Sequence, residues 1–195
     1  MALPWTPALP VSTPRLRLRA HTPDDLDDLL QFHSDPEVVR YLPWPVRSVD
    51  ETRFALLAKV PQGRVDSEGQ WLVLAIELAS SGSNGPGGQA GPGGQVIGEV
   101  VLKCVSETEG EVGFALHAGF HRAGYGFEAA HAMLALAFGE FGLHRVTATL
   151  DARNAGSAAL LLKLGMTPGP IVPDRPFKGE RVDEMHFAID SSDFS

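Results

Sequence analysis

Cysteine is almost missing from this chain: its 195 residues include one, Cys104. A single thiol excludes an intrachain disulfide framework and a cysteine-rich zinc site, and it suits a reducing cytoplasm. Cys104 itself reads as a small buried hydrophobe. Long apolar runs are lacking too. The most apolar stretch, residues 129 to 138, is interrupted by His131 and is too short to span a bilayer. The opening MALPWTPALPVSTP has neither a basic start nor a continuous apolar core, so it reads as an extended arm and not as a signal peptide. Positive charge is in deficit, with 16 Lys and Arg against 24 Asp and Glu. The formal charge of -8 argues against a protein that coats nucleic-acid phosphates. Seven histidines occur without an HExxH or comparable pairing, so no metal site is expected. What is left is a cytoplasmic protein with neither a membrane nor a nucleic acid as partner. With 44% hydrophobic residues, 1–195 is long enough for one α/β domain.

The pattern of apolar residues gives the elements in order. Residues 14–20 alternate Arg and Leu with a period of two, as a half-buried strand does. Thr22 caps a helix that has Pro23 at its first position and Leu26, Leu29, Leu30 and His33 on one face. Ser48 and Glu51 form a capping box for a second helix, which Pro61 ends. The linker between them, 35–45, carries Tyr41 and Trp44, which serve either packing or a substrate wall. Strands follow at 70–79, 96–104 and 111–117. Between the first two lies 80–95, a Gly/Ser/Pro-rich hairpin loop with nothing to anchor a core. A long helix over 125–141, capped by Gly142, leads to a strand at 145–150. A shorter helix runs from Asn154 to Gly165, and a last strand spans 182–189. The strands at 111–117 and 145–150 flank a helix and are expected to be parallel neighbours.

The run HRAGYGFEA at 121–129 closes a strand and opens a helix around two glycines. Backbone N–H groups of Ala123, Gly124, Tyr125 and Gly126 would project from the first helical turn, where the helix dipole adds partial positive charge. That arrangement is either an anion cradle or an ordinary Gly-rich connector. It lacks the third glycine of a dinucleotide fingerprint and the Lys of a P-loop, which argues against ATP hydrolysis.

Taken in order, TPRLRLR (13–19), DPEVVRYL (35–42), VIGEVVL (96–102), EVGFALH (111–117), HRAGYGFEA and FGLHRVTATLDARNAGSAALLLKLGM (141–166) resemble the GNAT superfamily of acyl-CoA-dependent N-acetyltransferases. Within it they resemble the RimJ/RimL type, the ribosomal-protein alanine N-acetyltransferases. The resemblance implies an α/β (α+β) GNAT fold: a mixed central sheet of about six or seven strands, splayed in the middle and flanked by about four helices. It further implies acetyl-CoA as cosubstrate, its pyrophosphate held at 122–126 with Arg122 adding charge. His121 and Arg122 depart from the family's usual residues at the start of the turn. The pantetheine arm would pair along Phe114, Ala115 and Leu116 like an added strand, with the Ala115 N–H facing the thioester carbonyl.

Acetyl transfer to an amine needs a base, a polarised carbonyl and a proton for the leaving thiolate. Glu111 is the expected base, because similar acetyltransferases carry a glutamate there. Alternation puts Glu111, Gly113, Ala115 and His117 on one face of the strand and Val112, Phe114 and Leu116 on the other. Glu99 on the adjacent strand could share the task. Many relatives protonate the thiolate with a tyrosine where this chain has Leu161, so Ser157 is the candidate donor. Asn154 contacts the cofactor in this reading, although both Asn154 and Ser157 also suit helix capping. His117 and His121 bracket the turn and could touch cofactor or substrate; His144 reads as a packing residue. The acceptor is a protein N-terminal amine or a small amine such as a polyamine, antibiotic or amino acid. Tyr41 and Trp44 lie in the segment that would select it. A noncatalytic acyl-CoA-binding module is the alternative that Leu161 suggests. A homodimer is compatible with the resemblance.

Overall fold

The alternation of residues 14–20 becomes strand β2 (Leu16–Ala20), which buries Leu16 and Leu18 on one face and turns Arg17 and Arg19 to the other. The computed structural model describes residues 3–79 and 94–194. The hairpin loop expected at 80–95 lies almost wholly outside the described residues. The remaining strands are β1 (Val11–Ser12), β3 (Trp71–Leu78), β4 (Val96–Cys104), β5 (Glu109–Leu116), β6 (Arg145–Asp151), β7 (Thr167–Phe177) and β8 (Glu180–Asp190). All join one sheet in the order β1-β2-β3-β4-β5-β6-β8-β7. The helices are α1 (Leu26–His33), α2 (Pro36–Val39), α3 (Val49–Lys59), α4 (Tyr125–Ala135) and α5 (Ala155–Lys163).

Every neighbouring pair is antiparallel except β5 and β6, which α4 connects as a parallel crossover. Their pairing is brief. Only Glu109↔Arg145, Gly110↔Val146 and Glu111↔Thr147 are in register, and past Glu111 the strands diverge. This is the splay expected in the middle of the sheet. One face of the sheet packs on α4 and α5 through Leu72, Leu74, Ile97, Val100, Leu102, Val112, Met133 and Leu161. The opposite face is covered at one end by α1 and α3 through Leu29, Phe32, Leu56 and Ala75. Gly126 lets α4 and α5 approach closely, since a Cβ there would stand 3.0 Å from Leu160 Cδ1. Among the described residues, no helix is long and apolar enough to cross a membrane.

Two expectations about elements need correction. The sheet has eight strands because 167–177, which carries Pro168, Pro170, Pro173 and Pro176, forms β7. Proline lacks the ladder N–H, and β7 tolerates it as the outermost strand, with register shifts at Pro168/Ile171 and Val172/Arg175. Lys178 (φ 48°) and Gly179 (φ 83°) make the two-residue turn into β8. Among the described residues there are five α-helices because part of the 35–45 linker forms α2, whose N-cap Asp35 accepts a hydrogen bond from the Glu37 N–H at 2.9 Å. The N-terminal arm is pinned: Trp5 bridges to Val65 and stacks on Phe141 with ring centres 5.0 Å apart. His144, expected to pack, is exposed at the entrance to β6.

Candidate active site

Gly124 takes φ 84° as the N-cap of α4, and Arg122 just before it also has positive φ, 60°. The first N–H groups of α4 therefore project from the turn with no partner one helical turn earlier. The turn is clamped from the residues that lead into β2. Glu128 accepts hydrogen bonds from Thr13 Oγ1 (2.6 Å), Arg15 N–H (2.8 Å) and Arg15 Nε (2.7 Å). Arg15 Nη1 donates to Ala123 O at 2.9 Å, and its guanidinium lies 4.4 Å from the centre of the Tyr125 ring. Burial tends to raise the Glu128 pKa, but these bonds from Thr13 and Arg15 outweigh it and hold the carboxyl below its ordinary value. Both histidines of the turn bond to local backbone. His117 Nδ1 accepts from the Gly119 N–H at 3.0 Å, and His121 Nε2 lies 2.8 Å from Leu116 O. A rigid loop of outward N–H groups beside a helix N-terminus suits a diphosphate.

Backbone polarity along β5 follows from its register. Val105 N–H donates to Glu109 O (3.0 Å) and His117 N–H to Ile97 O (2.8 Å). Odd-numbered residues of β5 thus bond to β4, and even-numbered ones turn their N–H and C=O groups toward β6. Where β6 diverges, the N–H groups of Phe114 and Leu116 face the gap. Ala115 pairs with Glu99, which directs its N–H to β4. This corrects the expectation that the Ala115 N–H faces the thioester carbonyl: the donors on the open edge belong to its two neighbours.

A cavity of about 430 Å³ runs through this gap from one face of the sheet to the other. Asn154, the cap of α5, and Ser157 and Leu161 within it line it on one side, and Phe114, Ala115 and Ala148 border the split. On the other side it meets Tyr41, Trp44, Lys59, Trp71, Val73, Glu99, Val101 and Glu111. Val112 and Leu116 pack into the main core, with Val112 also bordering the cavity, and Glu111, Gly113 and Ala115 line it from the other parity of the strand. Asn154 Oδ1 accepts from the Ser157 N–H at 3.1 Å and so caps α5. That bond uses the Ser157 backbone and not its hydroxyl. Leu161 is 1% exposed.

The two candidate carboxylates differ in company. Glu99 is 3% exposed and bonds to Lys59 Nζ, with His21 Nε2 3.8 Å away. Burial alone would raise its pKa, but the neighbouring Lys59 ammonium holds it below its ordinary value. Glu111 is half-buried and engages in no ion pair among the described residues. Behind Glu99 the polar layer continues. His21 Nδ1 lies 3.2 Å from Asp25, which Arg19 grips with two bonds of 2.8 and 3.0 Å, and Arg19 in turn reaches Glu77.

A family model described as an acetyltransferase (GNAT) domain matches residues 15–167. The chain belongs to the GNAT acetyltransferase family. N-acetyltransferase YnaD of Bacillus subtilis (strain 168), itself uncharacterized, is 26% identical over 181 residues, covering 92% of this chain and 95% of that protein. A GNAT-family acetyltransferase from Bacillus anthracis shares the fold with a TM-score of 0.79 at 24% identity, covering 93% of this chain and 98% of that one. A Vibrio cholerae chain provisionally assigned as a ribosomal-protein-serine acetyltransferase gives 0.75 at 22% identity, covering 94% and 99%. As a GNAT acetyltransferase the protein takes its acyl group from acetyl-CoA, and the clamped turn has the donors a CoA diphosphate requires. Among the described residues no group of three or more His, Cys, Asp or Glu is arranged to hold a metal.

Sequence reasoning missed four residues of this site. Lys59 and Trp71 line the cavity, and Arg15 and Thr13 clamp the turn. Trp71 had a legible signal, since it shares the period-two face of β3 with Val73. Lys59 and Arg15 had none, because each acts across about 40 residues of chain or more.

Proposed function

We propose that this acetyltransferase acetylates a primary amine directly in a ternary complex, that Glu111 is its general base, and that the acceptor is a peptide or protein N-terminal amine of the RimJ/RimL kind. One observation carries the reading: a single cavity joins the open edge of β5, the hydroxyl-bearing start of α5 and the unpaired carboxylate of Glu111. The name given to the Vibrio cholerae relative also favours a protein acceptor.

Bound acetyl-CoA supplies an activated thioester carbonyl. The chain's own groups do the rest. The turn at 122–126 anchors the diphosphate with backbone N–H groups, and the Phe114 and Leu116 N–H groups donate along the open edge. Glu111 accepts a proton from the acceptor ammonium and frees its lone pair for attack. As the new C–N bond forms and the C–S bond breaks, the nitrogen sheds its second proton and the departing sulfur gains one, either from solvent or through Ser157 Oγ–H, whose oxygen takes up the proton the nitrogen releases. A thiol with pKa near 8.5 leaves without much help, so burying Leu161 where relatives carry tyrosine is compatible with turnover. Glu99, already committed to Lys59, holds the wall together.

Glu111→Gln tests the assignment. Its kcat/KM with a peptide acceptor should fall at least about 100-fold, the usual range for losing a general base, while the Kd for CoA stays within about twofold. Unchanged turnover would remove Glu111 from this role. Mass spectrometry of an N-terminal peptide library against free amines tests the acceptor: acetylation of free amines alone would replace the protein N-terminus by a small molecule.

A further inference from the structure

We infer that the acceptor carries one ammonium group and a compact apolar body, aromatic or branched aliphatic, next to the amine that is acetylated. The inference rests on the reading that this cavity is the acceptor side of the acetyltransferase, and it narrows the substrate class.

The charges around the cavity leave room for one cation. Lys59 and Glu99 neutralise each other, with side chains only 13% and 3% exposed. Lys103 faces Glu111 across the β4–β5 ladder, but its ammonium lies over the Trp71 ring, 5.6 Å from its centre, and no ion pair joins it to Glu111 among the described residues. Among the described residues, Glu111 is therefore the one carboxylate on this wall without an ion-pair partner. A second ammonium would find no further carboxylate among the described lining residues. It would meet tryptophan rings that already carry this chain's own cations: Arg47 at 4.7 Å and Lys59 at 5.4 Å from Trp44, and Lys103 on Trp71. A polyamine or aminoglycoside would bury unpaired charge beside like charge, which is strongly unfavourable.

The rest of the wall favours apolar contact. Trp44, Trp71, Val73 and Val101 line the cavity on the side where Glu111 stands. Val73 pairs with Val101 and Val101 with Gly113 in register, which makes a smooth apolar floor leading to the carboxylate. Each methylene buried there is worth about fourfold in binding. A peptide beginning with a bulky apolar residue fits this description as well as a free arylalkylamine does.

The experiment is a panel read by thiol release from acetyl-CoA. It contains ethylamine, isoamylamine, phenethylamine, tryptamine, a peptide with N-terminal Leu, the same peptide with N-terminal Gly, spermidine and kanamycin. Branched or aromatic single-charge acceptors should exceed spermidine and kanamycin in kcat/KM by about 20-fold or more, and the Leu peptide should exceed the Gly peptide. Trp71→Ala should collapse the phenethylamine-to-ethylamine ratio by about tenfold, mainly through KM. Trp71→Phe should keep that ratio, which separates wall contact from a folding defect. Spermidine or kanamycin matching the apolar amines, or a ratio untouched in Trp71→Ala, would overturn the inference and leave the acetyltransferase reading intact. Binding of acetyl-CoA with no acetylation of any acceptor would instead overturn the reading itself.

Discussion

The two regions proposed to bind ligand, the 121–126 turn with the open edge of β5 and the side-chain wall around Glu111, are built by different means. At the proposed cofactor end the available groups are backbone N–H donors from one short turn, stiffened by Arg15, Thr13 and Glu128, and from one strand edge. At the acceptor end they are side chains from the 41–44 loop, α3, β3, β4 and β5, brought together by strand register and the packing of α3. Backbone donors tolerate changes of residue as long as the turn keeps its shape, whereas a side-chain wall changes with every substitution. The lesson is that the cofactor end should fail through geometry and the acceptor end through chemistry.

The sharpest way to break the cofactor end is Gly124→Val. The left-handed φ of 84° disfavours a β-branched residue, and a Cβ there would stand 3.2 Å from Arg15 Nη2. Forcing the turn to rearrange costs about 1–3 kcal/mol, so the Kd for CoA should rise about tenfold or more. Titration calorimetry on the folded variant checks this. An unchanged Kd would mean that the turn's conformation does not set CoA affinity.

A second experiment probes the acceptor end through acidity. His33 is fully buried beneath the Trp44 wall, its Nδ1 3.3 Å from Arg47, with Lys59, Glu99 and His21 near it. Burial above all, then the Lys59 charge, lowers its pKa from 6.5 to about 3. The folded protein thus keeps His33 neutral where the unfolded chain would protonate it. The unfolded state binds more protons between those two values, so stability is full above pH 6.5 and declines as pH falls toward 3. One such group contributes at most about 1.4 kcal/mol per pH unit. His33→Gln should flatten the Tm profile between about pH 5 and 6.5, above the range where carboxylates titrate. An identical slope in the variant would assign the acid sensitivity elsewhere.

The same contrast explains what could be read from the chain beforehand. The turn at 121–129, the Ser48–Glu51 capping box, the left-handed Gly142 and Gly165, and the parallel β5–α4–β6 unit were all legible, because each is a local pattern with a local cause. Strand β7 was not: its four prolines argue against a strand until the sheet order shows that it lies at the edge. Helix α3 buries Thr52 and Leu56 while Phe54 and Leu57 stand 79% and 55% exposed, a face that only packing against α1 and the sheet selects. The direction of the Ala115 N–H turned on the parity of β5 relative to β4, and a one-residue change of pairing would reverse it. The pairing of Lys59 with Glu99 spans 40 residues of chain and left no mark on either segment.

The smallest expected effect comes from Ser157→Ala, which tests whether the two ends meet in one proton transfer. The Ser157 N–H that binds Asn154 Oδ1 survives the substitution, so the cap of α5 and the fold should persist. Only the hydroxyl of this cavity-lining residue is lost. Because a thiolate with pKa near 8.5 departs readily, kcat should fall by about tenfold at most, with KM for the acceptor and Kd for CoA nearly unchanged. The loss should be greatest with the poorest leaving thiol, so comparing acetyl-CoA with an acetyl thioester of higher thiol pKa in single-turnover kinetics isolates the step. A loss equal for both thioesters would make Ser157 a positioning residue of α5. A loss of about 100-fold or more would make its hydroxyl the principal acid, and protonation of sulfur at the cofactor end would then limit the rate more than deprotonation by Glu111 does.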